Sequence, residues 1–170
     1  IALDPGARQF VVLEAKMFSN LASGTTRAGN YSQASRNVAC MAWALDRTGI
    51  DAESLSDVGF YVLAPEEKRR GRKDSNLEAA VDVDRILEEV TARIARYEAA
   101  GRQNEFESLR GWHARSFQPL LRVLKGRQCL RVVTWEEAIE SIRRPEIASA
   151  DELGAFYARC LEYAPKFARH

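Results

Sequence analysis

The sequence predicts an α/β domain with a mixed β-sheet flanked by helices. Short apolar runs with strand character occur at Phe10–Met17, Asp57–Ala64 and Cys129–Val133. Segments with helical spacing separate them, and a turn at Asp4-Pro5-Gly6-Ala7-Arg8 precedes the first. The resulting order is strand, strand, helix, strand, two helices, strand, two helices, as an α/β fold requires.

Ile1 to Met17 reads as a hairpin with a short first arm, because Pro5 fixes φ and Gly6 supplies a permissive backbone between strand-like residues. If the turn centres on Pro5 to Arg8, Leu3 lies opposite Phe10, and Glu14 faces a position upstream of Ile1. The expectation is therefore that an N-terminal segment precedes Ile1. Phe18 to Asn30, rich in Ser, Thr, Gly and Asn, is a loop. A helix is expected from about Tyr31 to Arg47, with Tyr31, Ala34, Val38, Met41, Ala42 and Leu45 on one face and Gly49 at its end. Pro65 stops the strand at Asp57–Ala64.

Asn76 to Ala100 reads as one long helix, broken by Gly101. Glu105 to Lys125 reads as a second, bent near Pro119. Together, residues 76–125 form a helical hairpin inserted between strands of a single domain spanning 1–170. After Cys129–Val133, Thr134 is placed to cap a helix from Trp135, with Glu137 completing a capping box. Asp151 to Tyr163 is a final helix.

The 170 residues suffice for a substantial core, and 46% hydrophobic with 29% charged residues is ordinary for a globular protein. A net charge of +1 demands no nucleic-acid partner through a global field, although Lys68, Arg69, Arg70, Arg72 and Lys73 form a local basic run. Cys40, Cys129 and Cys160 are odd in number and widely spaced. They point to reduced thiols in a cytoplasmic protein. No apolar run is long enough for a membrane span. His113 reads as a helix-face residue, and Trp43, Trp112 and Trp135 as core or interface residues.

Chemistry concentrates at Glu14-Ala15-Lys16. Strand alternation places Phe10, Val12, Glu14 and Lys16 on one face and Val11, Leu13, Ala15 and Met17 on the other. Glu14 and Lys16 therefore project side by side, about 7 Å apart along the strand, from a face otherwise suited to burial. Charges in that position are costly unless paired, metal-bound or functional. Glu66-Glu67-Lys68 repeats the spacing without the apolar alternation, and reads as a solvated loop.

The strand carrying Glu14-Ala15-Lys16, after a tight turn and before an Ala-rich helix beginning Tyr31-Ser32-Gln33, resembles the PD-(D/E)XK nuclease superfamily, the restriction-endonuclease-like fold. The resemblance covers roughly the first 65 residues. Val132-Val133-Thr134-Trp135-Glu136 also looks like the last strand-to-helix passage of some members. The resemblance implies hydrolysis of DNA phosphodiester bonds with Mg²⁺ or Mn²⁺. Glu14 and the Ala15 carbonyl would be metal ligands, Lys16 would act on the attacking water, and Gln33 would support the site. Arg36, one turn beyond Gln33, is either a solvated helix residue or a flank of the site that touches a phosphate, and the Lys68–Lys73 run is either a solvated loop or, beside a substrate groove, a neutraliser of DNA phosphates. The family pattern also needs an Asp on the preceding strand. Asp4 is the nearby candidate, but the hairpin register favours a residue upstream of Ile1. DNA is the first partner implied and RNA the second, with a homodimer compatible and no membrane partner. The rivals are a non-catalytic member of the same fold that binds nucleic acid or protein, and an unrelated α/β enzyme in which the motif is accidental.

Overall fold

The computed structural model describes residues 2–4, 6–17, 19, 21–24, 29–69, 77–145, 147 and 149–167. Its four strands form one sheet in the order β1-β2-β3-β4. β1 (Ala2–Asp4) runs antiparallel to β2 (Gln9–Ala15), while β2, β3 (Asp57–Ala64) and β4 (Leu130–Thr134) are parallel. This is the mixed α/β arrangement the element order implied. The hairpin register also agrees, with Leu3 opposite Phe10 and Asp4 opposite Gln9. Ser56 fixes the turn from β3's side: its hydroxyl donates to the Ala7 and Arg8 carbonyls, and its N–H donates to the Arg8 carbonyl.

The crossover from β2 to β3 is α1 (Gln33–Thr48). It begins two residues later than its apolar spacing suggested, because the Ser32 hydroxyl caps it by accepting from the Ser35 N–H at 3.2 Å. Gly49 ends it with φ 65°, a left-handed conformation that suits glycine. Ala34, Val38, Met41, Ala42 and Leu45 are buried, and they share one core with Phe10, Val12, Val58, Phe60 and Val62. The alanines keep this helix face thin and leave room for the large Phe60.

The stretch from 76 to 100 is not one helix. α2 (Glu66–Arg69) is a single turn after Pro65 where a loop was expected. α3 (Leu77–Ala80) follows, and α4 (Val83–Ala99) restarts at Asp82, whose side chain accepts from the Arg85 N–H at 2.8 Å. A helical hydrophobic period ran across this break, but the Asp82 cap ended it. Asp82→Ala should remove about 1 kcal/mol and lower the melting temperature by about 2–4 °C, as thermal denaturation would show.

α5 (Gln103–Trp112) and α6 (Gln118–Gly126) join through a π-helical turn at His113–Phe117. There the Gln118 N–H bonds the His113 carbonyl, five residues back. The expected irregularity near Pro119 takes this form because proline lacks an N–H and crowds the preceding turn, which a widened turn relieves.

This hairpin packs on α1 through α4 and the π turn, so the helices cover one sheet face. On the other face Leu13 is 52% exposed, and Ala15 and Arg131 are also exposed. Trp112 is buried as expected, but Trp43 is 58% exposed and belongs to no core.

α7 (Trp135–Arg143) carries the expected capping box between Thr134 and Glu137, and α8 (Ala150–Phe167) packs on it. Trp135 stacks on Tyr157 with ring centroids 5.9 Å apart, and the Tyr157 hydroxyl donates to Glu136 Oε1 at 2.6 Å. Among the described residues no helix is long and apolar enough to cross a membrane. The three cysteines are unpaired.

Candidate active site

Glu14 and Lys16 lie where β2 leaves the sheet, at the carboxyl ends of the three parallel strands. Open α/β sheets bind ligands at this edge. Phe10 and Val12, earlier on the same face, are each only 8% exposed. The burial declines toward the sheet edge, leaving the Glu14 side chain 23% exposed and the Lys16 side chain 12%.

The two charges form an ion pair, with Lys16 Nζ 2.9 Å from Glu14 Oε1. Lys16 Nζ also donates to Gln33 Oε1 at 3.0 Å. Gln33 is held in turn by the loop before α1. Its N–H donates to the Ala22 carbonyl at 2.8 Å, and its Oε1 accepts from the Ala22 N–H at 3.4 Å. The first turn of α1 thus fixes the direction of the lysine on β2.

Asn37, which the sequence pattern did not single out, completes the cluster by donating from Nδ2 to Glu14 Oε2 at 3.3 Å. It lies four residues after Gln33, on the same helix stripe. That spacing was the available signal. Glu14 therefore has a cation on one oxygen and an amide on the other, which fixes its carboxylate plane.

α4 braces this end of α1. Glu89 Oε2 accepts from the Ser32 N–H at 2.8 Å and the Ser35 hydroxyl at 2.7 Å, while Arg85 Nε donates to Glu89 Oε1 at 2.9 Å. Burial pushes the Glu89 carboxyl up, but the bonds from Ser32, Ser35 and Arg85 outweigh it and hold it below its ordinary value. A carboxylate at a helix N-terminus is also favoured by the exposed N–H groups there.

The other expected site residues are not gathered here. Arg36 donates from Nη1 to the Tyr31 carbonyl at 3.2 Å, which ties it to its own helix start. Asp4 is opposite Gln9, five residues before Glu14, and so about 16 Å away along the sheet. One metal ion cannot join two side chains across that backbone separation, which removes Asp4 as a ligand shared with Glu14. Arg69 is held by Glu78 at 2.9 Å and Glu137 at 2.8 Å, so its fork is already filled by carboxylates. Lys68 lies beside it on α2. Arg70, Arg72 and Lys73 lie outside the described residues.

The Ala15 carbonyl is better placed. The Lys16 N–H donates to the Leu63 carbonyl at 2.7 Å, toward β3. Across a trans peptide the Ala15 carbonyl points the opposite way, to the side of β2 on which β1 pairs with Gln9 to Val11. Glu14 and this carbonyl are hard oxygen donors of the kind Mg²⁺ and Mn²⁺ accept. Magnesium sites often use one or two carboxylates, with waters and substrate phosphates supplying the rest. The residues present therefore fit such an ion. Among the described residues, no three His, Cys, Asp or Glu side chains form a ready-made metal cluster.

Comparison with known proteins gives no match: no family model, no curated protein and no solved structure is similar enough to carry an argument.

Proposed function

We propose that the chain is a restriction-endonuclease-like domain that hydrolyses DNA phosphodiester bonds with a divalent metal. One observation carries this reading: Glu14 and Lys16 on one strand and Gln33, 17 residues beyond Lys16, meet within 3.0 Å contacts at the carboxyl edge of a parallel sheet. The only carboxylate in this cluster among the described residues is Glu14.

In this reading Glu14 and the Ala15 carbonyl hold Mg²⁺ or Mn²⁺. When bound, the ion offsets charge on the phosphate and lowers the pKa of the attacking water. Gln33 aims the Lys16 ammonium at the site, where it orients that water and stabilises negative charge as the water oxygen bonds to phosphorus and a P–O bond breaks. Asn37 keeps Glu14 in one orientation, so the ligand is preorganised.

The test is cleavage of labelled duplex DNA, single-stranded DNA and RNA by the full-length protein, with Mg²⁺ and with chelator. Metal-dependent cleavage is expected, with loss in Glu14→Ala and Lys16→Ala. Asn37→Ala should raise the metal concentration for half-maximal cleavage by about 10-fold or more. Binding without turnover would instead favour a non-catalytic member of the fold. The single carboxylate in the cluster is the observation on that side.

A further inference from the structure

Beside this site, on the next stripe of α1, a cleft of about 320 Å³ opens between α1, α4 and α5. Pockets of this size admit small organic groups. Tyr31, Trp43, Tyr97 and Trp112 line it, together with Arg93, and none of its lining residues is acidic. Trp112 is a fixed wall, buried and packed against Phe117 with centroids 5.5 Å apart. Arg93 lies 5.4 Å from the Tyr97 ring centre, and Arg47 lies 5.8 Å from that of Trp43.

The exposure of Trp43 is the anomaly. A large apolar ring on an α/β surface, 58% exposed and steadied by an arginine, contributes nothing to the core. Aromatic faces combined with arginines, without acids, suit a flat π-system attached to a negative charge. A nucleobase on its phosphate backbone has that chemistry, and stacking on aromatic side chains is how single strands are held without sequence readout.

The location supports the same occupant. Gln33 and Trp43 are ten residues apart on one helix, or about 15 Å at the helical rise. A strand whose phosphodiester lies at Glu14 and Lys16 can therefore reach the cleft within a few nucleotides. A base in a continuous duplex stack cannot enter it.

We infer that this cleft takes an unstacked nucleobase, which makes the substrate a single-stranded segment of DNA or RNA. The inference rests on the nuclease reading for its substrate, but it is tested separately from it. Binding of a fluorescent single-stranded DNA, the matching RNA and a blunt duplex is measured by anisotropy, in chelator, with full-length wild type, Trp43→Ala and Trp43→Phe. Wild type should prefer single strands. Trp43→Ala should weaken that binding by about 5- to 100-fold, the range one stacked base supplies, and Trp43→Phe should keep most of it. Because Trp43 is exposed, the melting temperature should be unchanged. The DNA and RNA arms identify which strand is preferred. Trp43→Ala binding single strands as wild type does, or wild type favouring duplex, would overturn the inference. Binding through Trp43 without cleavage in Mg²⁺ would remove the nuclease reading and leave the cleft. Cleavage indifferent to Trp43 would do the reverse.

Discussion

Lys16→Met should abolish metal-dependent cleavage, by at least about 100-fold, the scale of losing one preorganised charge-stabilising donor. It should also destabilise the fold by about 1–3 kcal/mol, because the Glu14 carboxylate, only 23% exposed, loses its counter-ion and keeps only the Asn37 amide. Both effects arise from the same ammonium, and a second substitution separates them. Glu14→Gln/Lys16→Met removes both charges while roughly preserving shape, so it should recover most of the lost melting temperature and none of the activity. If the ion pair were only structural, Lys16→Met would cost stability and spare whatever activity the protein has. Thermal melts and cleavage time courses on the three proteins decide between these outcomes.

Glu89→Ala should be among the most destabilising single changes near the site. It strands the Ser32 N–H and the Ser35 hydroxyl, both on buried residues, and frees Arg85. A loss of about 2 kcal/mol is expected, or about 4–8 °C in melting temperature. The effect depends on pH. The Glu89 carboxyl is held below its ordinary value of 4.5 in the fold, so the folded state binds that proton less readily than the unfolded chain does. Its stabilisation is fully present above 4.5 and is lost as pH falls through the folded value. The gap between wild type and Glu89→Ala should therefore be constant from neutral pH to about 5 and close below 4.5. A gap that persists unchanged into strong acid would show that the carboxylate is not the source.

The sheet could be read from the sequence because its determinants are local. Pro65 and the alternation before it define β3, the Asp4–Arg8 turn sets the hairpin register, and Thr134 with Glu137 forms the capping box that starts α7. The break at Asp82 was missed because an apolar period ran across it, and the cap that ended the helix is a single side chain. The site divides in the same way. Glu14 and Lys16 stand out because a carboxylate and an ammonium interrupt a buried strand face. Gln33 was found through resemblance, and the helix–strand packing then brought it to Lys16.

Asn37 and Glu89 carry no such mark. An amide on a helix and a carboxylate 54 residues from Ser35 become partners only when α1 packs on β2 and α4 packs on α1. Charge run alone was a poor guide to contact. Arg69 belongs to a basic run, yet it is matched to Glu78 and Glu137. Of the two placements open to the tryptophans, core or interface, Trp112 takes the core and Trp43 does not, because helix position, not residue type, decides whether an indole joins the core.

Anomalous diffraction from crystals of the full-length protein soaked in Mn²⁺ tests whether Glu14 is a metal ligand beside Lys16. A manganese peak is expected within bonding distance of the Glu14 carboxylate and the Ala15 carbonyl, absent in Glu14→Ala. Saturating Mn²⁺ with no peak at that edge, and Glu14 still engaged only by Lys16 and Asn37, would contradict that role.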